Sequence, residues 1–325
     1  MLRTALSLSL VTGTPFCMTH IRAGRARPGL LRQHLTAVRA AAAIGEARVE
    51  GDALNAQEIS FWPGAVRGGE LEVEIGSAGS ATLVAQTLLP ALLRARGPAR
   101  VRIGGGTHNP LAPPCEHLAE VFVPLLRRLG GDVGVSLLRH GFAPAGGGRL
   151  ELETQPSRLG RLELLSRGAV QSVSARILFA QLPFGVAQRE KAALVQLGWD
   201  EASIRIEEVK SNGPGNIVLA TARSEHITEG FVQFGERGVR AEAVAAALAK
   251  QVGAHLESQA PVGPHLADQL LLPLALGEGG IFRTMVPTLH ARTQAEVIAA
   301  FLGPRVTFEL EPGDACTVTV RDRTA

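Results

Sequence analysis

Apolar residues along the chain recur in two alternating rhythms. Segment 30–45, LLRQHLTAVRAAAAIG, spaces its apolar positions three and four apart, which predicts a helix ended by Gly45 that runs into the strand-like EARVEG. ELEVEIG (70–76) alternates in period two and stops at the turn GSAGS, after which ATLVAQTLLPALLRARG (81–97) returns to the helical period. The strand-like ARVRIGGG, the helix-like CEHLAEVFVPLLRRLGG (115–131) and the strands DVGVSLLRHG and GGGRLELE follow. Weak echoes link HLAEVFVPLLRRLG (117–130), HLADQLLLPLALG (265–277) and LVAQTLLPALL (83–93), each with a late proline. A helix-strand unit used several times within one α+β domain fits this spacing.

Residues 167–258 differ in texture. They hold all three lysines, the run ARILFAQLPFGVAQREKAALVQLG, the turn SNGPGN and the closing helix RAEAVAAALAKQVGAHL. This predicts a small α/β domain inserted into a larger one made of 1–166 and 259–325. Near the C-terminus, PTLHARTQAEVIAAFLG contains Thr293 followed three positions later by Glu296, a capping-box pattern that predicts a helix start at Thr293. His290 then belongs to the turn feeding that helix.

Composition narrows the class. A chain of 325 residues, 46% hydrophobic, buries a large core, and 37 glycines with 19 prolines give many turns without reaching a disordered composition. Net charge is only +3, which excludes a surface coated with positive charge. All but Lys191, Lys210 and Lys250 of the 33 cations are arginine, the side chain suited to bidentate phosphate contacts. Cys17, Cys115 and Cys316 are odd in number and far apart, matching neither a disulfide framework nor a zinc spacing, so a reducing, cytoplasmic setting is expected. The opening Arg3 and TALSLSLV imitate a signal peptide, but no small-x-small cleavage site follows. No apolar run reaches membrane-spanning length, so no membrane association is expected.

Candidate chemistry is diffuse when taken segment by segment. There is no Walker loop and no G-x-G-x-x-G after a strand, and IGGGTHNP (103–110) leads into LAPP rather than a helix. In IRAGRARPGLLRQH, Arg22, Arg25, Arg27 and Arg32 fall together without an acid, ahead of His34. A solvated basic loop and a phosphate-binding groove both account for them. HLADQ places His265, Asp268 and Gln269 at a helix mouth, either to favour the helix dipole or to recognise a nucleotide. His290 alone reads more simply as a structural loop residue.

The segments taken in order change this picture. LRTALSLSLVTGTPF, IRAGRARPGLLRQHLTAVRAA, GGTHNPLAPP, GFAPAGGG, HLADQLLLPLALGEG and LHARTQAEV resemble, in sequence order and over essentially the whole chain, the RNA 3′-terminal phosphate cyclases. The resemblance implies a large domain of three repeated βαβαββ-type units, similar to an initiation-factor C-terminal domain, with a smaller α/β domain inserted before the last unit. It implies a reaction that uses ATP with Mg²⁺ or Mn²⁺ on RNA bearing a 3′-phosphate end. A histidine takes AMP from ATP, AMP passes to the RNA 3′-phosphate, and the neighbouring 2′-hydroxyl displaces it to leave a 2′,3′-cyclic phosphodiester.

By the same resemblance, His290 matches the nucleophile. Gln86, His265, Leu266, Ala267, Asp268 and Gln269 match nucleotide-binding positions, and Arg3, Arg22, Arg25 and His34 match the phosphate- and RNA-binding end. No metal ligand and no protein partner is assigned. Three departures accompany the match: His108 stands where the loop normally has an acid, Gln294 stands in place of asparagine, and the sequence opens at Met1. A first strand and a glycine-rich segment with a metal-holding acid are therefore expected to be missing, leaving a sheet edge unpaired. The rival expectation is a non-catalytic RNA-binding relative serving ribosome assembly or RNA processing; enolpyruvyl transferases share only the repeated units.

Overall fold

The computed structural model describes residues 1–313 and 315–322. Helix α1 (Leu2–Thr12) leads into strand β1 (Phe16–Met18), helix α2 (Arg32–Ile44) and strands β2 (Arg48–Glu50) and β3 (Ile59–Trp62), an antiparallel sheet of order β1-β3-β2. Strand β4 (Gly69–Glu74), helix α3 (Ala81–Leu92) and strand β5 (Ala99–Gly105) come next. A helical run follows, made of α4 (Cys115–His117), a π turn (Leu118–Phe122) and α5 (Val123–Arg128), and then β6 (Val133–Arg139) and β7 (Gly148–Thr154). Their sheet has order β4-β5-β7-β6, with β4 and β5 parallel and the other pairs antiparallel.

Strand β8 (Leu162–Leu164) pairs with a strand far along the chain. Between them lie β9 (Val170–Ala180), α6 (Phe184–Gln196), β10 (Ile204–Glu208), β11 (Gly215–Ser224), β12 (Thr228–Phe234) and α7 (Ala241–Ser258), with sheet order β10-β9-β11-β12. Helix α8 (Pro264–Leu276), β13 (Gly280–Met285), α9 (Leu289–Leu302), β14 (Val306–Glu311) and β15 (Ala315–Val320) complete the last sheet, ordered β14-β15-β13-β8 with β8 parallel to β13. This sheet and the β4-β5-β7-β6 sheet share one plan, a parallel pair extended by an antiparallel hairpin. The architecture is mixed α+β.

Burial explains the N-terminal apolar run. Leu6 and Leu8 of α1 are fully buried, and the run packs as a core helix against α2, α3 and α9. Its serines are satisfied inside: Ser7 Oγ donates to the carbonyl of Thr87 at 2.7 Å and Ser9 Oγ to that of Thr14 at 2.7 Å. Gly13, at φ 74°, ends the helix in the left-handed conformation that a side chain disfavours. The principal core gathers α1–α3, α5, α8 and α9 with the faces of three sheets, while a second cluster uses Ala175–Val252 alone. No helix among the described residues is long and apolar enough to cross a membrane.

One sequence expectation is overturned. Helix α9 starts at Leu289, not Thr293, because Thr288 is the N-cap and its Oγ1 accepts from the N–H of Ala291 at 2.9 Å. Thr293 is one turn inside, its hydroxyl bonded back to the carbonyl of Leu289 at 2.9 Å. His290 is therefore a first-turn helical residue. A hydroxyl immediately before the first amides outcompetes one placed where those amides already have helical partners.

Candidate active site

Four helices converge on one cleft, and each contributes side chains spaced a helical turn apart. Helix α1 presents Arg3 and Ser7, α3 Gln86 and Pro90, α8 Gln269 and Pro273 with Asp268 beside them, and α9 His290 and Gln294. Residues three or four apart share a helix face, so the sequence spacing itself aims each pair at the same opening. Both Pro90 and Pro273 lie inside helices and line the cleft. Each lacks the N–H that would bind the carbonyl four residues earlier, which belongs to Gln86 in one case and Gln269 in the other. The same late prolines produced the sequence echo.

At the head of the cleft His290 Nδ1 stands 3.1 Å from Asp268 Oδ2, and Thr288 donates its hydroxyl to Asp268 Oδ1 at 2.9 Å. The carboxylate is nearly buried while the imidazole is 56% exposed, so one partner is fixed and the other remains reachable. His117 donates its Nε2–H to Gln269 Oε1 at 3.2 Å, tying α4 to the cleft wall. Burial pushes the His117 imidazole down to about 4, so it is neutral at pH 7. Gln86 Nε2 is buried without a hydrogen-bond partner. A buried donor left open costs about 1–3 kcal/mol, which a bound acceptor would recover.

Positive charge collects at the other end. Arg3 is partly buried, and desolvation lowers its guanidinium only to about 10, so it stays charged at neutral pH. His34 is pushed down to about 4 by burial first and then by the charges of Arg22 and Arg3, which places these three groups within electrostatic range of one another. His34 sits in the first turn of α2, where its Nδ1 accepts from the N–H of Leu31 at 3.3 Å. Arg22 donates to the carbonyls of Arg27 and Gly29, curling the arginine-rich loop on itself. That loop closes at Gly29, whose φ of 79° and 2.2 Å approach of a Cβ to the carbonyl of Asn55 leave no room for a side chain.

The structure thus brings His290, Asp268, Gln269, Gln86 and Arg3 to one opening, with His34 and Arg22 beside Arg3. Arg25 is exposed on its loop, His265 is exposed at the mouth of α8, and Leu266 and Ala267 point into the core. Their neighbours Asp268 and Gln269, one helical step further round, face the cleft. Sequence reasoning missed Thr288 and Ser7, and met Gln294 only as a departure from the family's asparagine. The signal for Thr288 was a threonine after proline, before the first helical residue; Ser7 was marked only by lying four residues from Arg3.

Fold and site define an α+β protein with a carboxylate-held histidine over an anion-attracting cleft. The family description "RNA 3′-terminal phosphate cyclase" matches residues 1–308, and the chain belongs to that family. A protein from Ectopseudomonas mendocina named RNA 3′-terminal phosphate cyclase is 52% identical over 94% of this chain and 90% of its own length. One of the same name from Pseudomonas fluorescens is also 52% identical, over 94% of this chain and 90% of its own. Among solved structures, the enolpyruvyl transferase NikO of Streptomyces tendae aligns with 99% of this chain at 14% identity and a TM-score of 0.37. This chain spans 46% of that one, and a likeness so weak carries no argument.

Proposed function

We propose that the chain converts an RNA 3′-terminal phosphate into a 2′,3′-cyclic phosphodiester at the expense of ATP, with His290 as nucleophile. Family membership supports the reaction class, and the pairing of His290 with Asp268 over a cleft holding Arg3 and Gln86 carries the assignment. Asp268 favours the proton on Nδ1, leaving the Nε2 lone pair free. Nε2 attacks the α-phosphorus, the bond to the β-phosphate oxygen breaks, and pyrophosphate departs. A 3′-phosphate oxygen of the RNA then displaces His290 from the adenylate. Finally the 2′-hydroxyl attacks the 3′-phosphorus, AMP leaves, and the hydroxyl proton goes to solvent; proximity supplies most of this last step.

The same reading gives the cleft residues their parts. Gln86 and Gln269 meet the nucleotide, while Arg3, with Arg22 and His34 behind it, meets phosphate. First-turn amides of α9 also favour negative charge near His290. Asp268 is the one carboxylate among the cleft-lining residues, and both its oxygens are engaged by Thr288 and His290. These residues do not fit a protein-held Mg²⁺ or Mn²⁺. We extend the reading to the fold: the two sheets of shared plan and the β1-β3-β2 sheet correspond to three related units, with Val170–Ser258 as the inserted domain.

The test is incubation with ATP labelled at the α-phosphate, followed by denaturing separation. An acid-labile, alkali-stable adduct on the wild-type chain, absent from His290→Ala, supports the reading. An adduct formed equally well by His290→Ala would remove the nucleophile assignment. Loss of phosphatase sensitivity at a 3′-phosphorylated RNA end reports the complete reaction.

A further inference from the structure

Outside the cleft, three potential metal ligands converge where the glycine-rich loop after β5 meets the loop before β7. His108 Nε2 is 2.9 Å from one oxygen of Glu116, His140 Nε2 is 3.9 Å from the other, and the ligand atoms of all three residues lie within 4.8 Å of one another. We propose that His108, Glu116 and His140 bind a divalent transition-metal ion, of which Zn²⁺ is the best match. Two imidazoles and one carboxylate suit zinc or a neighbouring first-row ion rather than Mg²⁺.

The separations favour an ion over a purely hydrogen-bonded cluster. Zinc–ligand bonds of about 2.0–2.1 Å in a tetrahedron hold the donor atoms roughly 3.3 Å apart. The two measured separations bracket that value. At 3.9 Å the His140–Glu116 pair is beyond hydrogen bonding, so a proton does not close the triad whereas a cation between the three atoms would. The two imidazoles lie nearly parallel, ring centres 5.1 Å apart at 23°, and both turn Nε2 to the same carboxylate.

Support behind the ligands is of the kind metal sites use. His108 is fully buried, with Phe142 against its ring at 4.9 Å. Its other nitrogen, Nδ1, is 2.8 Å from Thr107 Oγ1, and that hydroxyl also accepts from the N–H of Gly141 at 2.9 Å. With the Nδ1 proton given to Thr107, the Nε2 lone pair is left for a metal. His140 and Glu116 keep one side of the site accessible, which leaves a fourth position for water or a substrate group. The ion would tie two loops to the start of α4, one residue before His117 and its bond to Gln269 of the cleft.

Spectroscopic titration of the untagged, chelator-treated full chain with Co²⁺, in competition with Zn²⁺, tests this. The expected result is one equivalent of ion bound per chain, with the visible bands of a four- or five-coordinate cobalt site that zinc abolishes. His140→Gln, the more accessible ligand and the safer one for folding, should weaken binding more than about tenfold at unchanged thermal stability of the metal-free chain. Glu116→Gln should do the same. No stoichiometric cobalt spectrum in the wild type, or equal affinity in His140→Gln, would overturn the site. The readout does not depend on adenylylation, so its outcome is separate from that of the His290 assignment.

Discussion

Asp268, on α8, holds His290, on α9, by its ring: 3.1 Å separate the carboxylate Oδ2 from Nδ1. The two residues are brought together by helix packing and by Thr288, which caps α9 while donating to the other carboxylate oxygen. Replacing Asp268 by asparagine keeps the shape and the acceptor for Thr288 but removes the charge that orients the imidazole. Asp268→Asn is expected to slow formation of the histidine adduct by about 100-fold or more, in the range typical of a lost positioning or acid–base group. Its denaturation midpoint should stay close to that of the wild type. Rapid-quench measurement of adduct formation checks the first; an unchanged rate would leave Asp268 a purely structural partner.

Gln86 makes a different kind of prediction. Its Nε2 is buried without a partner in the free chain, so the fold gains no hydrogen bond from that donor. Gln86→Leu removes the orphan at similar volume and is expected to leave stability unchanged or raise it by about 1 kcal/mol. The same change should raise the KM for ATP about tenfold, because the open donor would no longer meet a nucleotide acceptor. Chemical denaturation and initial-rate kinetics measure the two effects separately. A stability loss with unaltered KM would contradict the role.

Thr288 joins stability to chemistry. Thr288→Ala removes the cap and the hydrogen bond to Asp268, and is expected to cost about 1 kcal/mol of stability and to slow adduct formation. Thr288→Ser retains the hydroxyl and should restore both. Failure of serine to rescue the rate, with stability recovered, would show that Asp268 does not depend on this bond.

The alternation of helical and strand rhythms was legible because each element buries one face. Boundaries followed in part: the helix predicted over 30–45 is Arg32–Ile44, and the one predicted over 81–97 starts at Ala81 but ends at Leu92, short of Gly97. The start of α9 was misplaced because Thr293 and Glu296 satisfy a local pattern, whereas Thr288 is favoured by a tertiary partner, Asp268, twenty residues away. The apolar N-terminal run was ambiguous for a similar reason: a leader and a buried helix have the same composition until α3 and α9 cover it. Of the residues matched by resemblance, Arg3, Gln86, Asp268, Gln269 and His290 line the cleft from four different helices. Leu266 and Ala267 lie in the same motif as Asp268 but are buried in the core, a distinction that α8 makes and the string HLADQ does not. The His108–Glu116–His140 cluster was invisible in sequence because its members come from three separate segments and follow no zinc-ligand spacing.

A last prediction concerns pH and the second core cluster. Glu190 of α6 is fully buried; its Oε2 accepts from Asn216 Nδ2 at 2.9 Å, while Oε1 has no partner. Burial raises its carboxyl to about 7, with the Asn216 bond pulling modestly the other way. Because the folded value lies above the unfolded one, the native state holds this proton through a window in which the unfolded chain has released it. Stability from this group is complete below about 4.5 and is lost as pH rises through about 7. Glu229, buried and accepting from the N–H groups of Gly230 and Gly263, is raised to about 7 in the same direction. Glu190→Gln has no proton to lose and still offers an oxygen to Asn216. It is therefore expected to be more stable than the wild type by about 1–3 kcal/mol at pH 8, with the advantage fading toward pH 4.5. Urea unfolding of both chains across that range decides the matter. A difference independent of pH would mean that Glu190 is not the group whose ionisation strains the core.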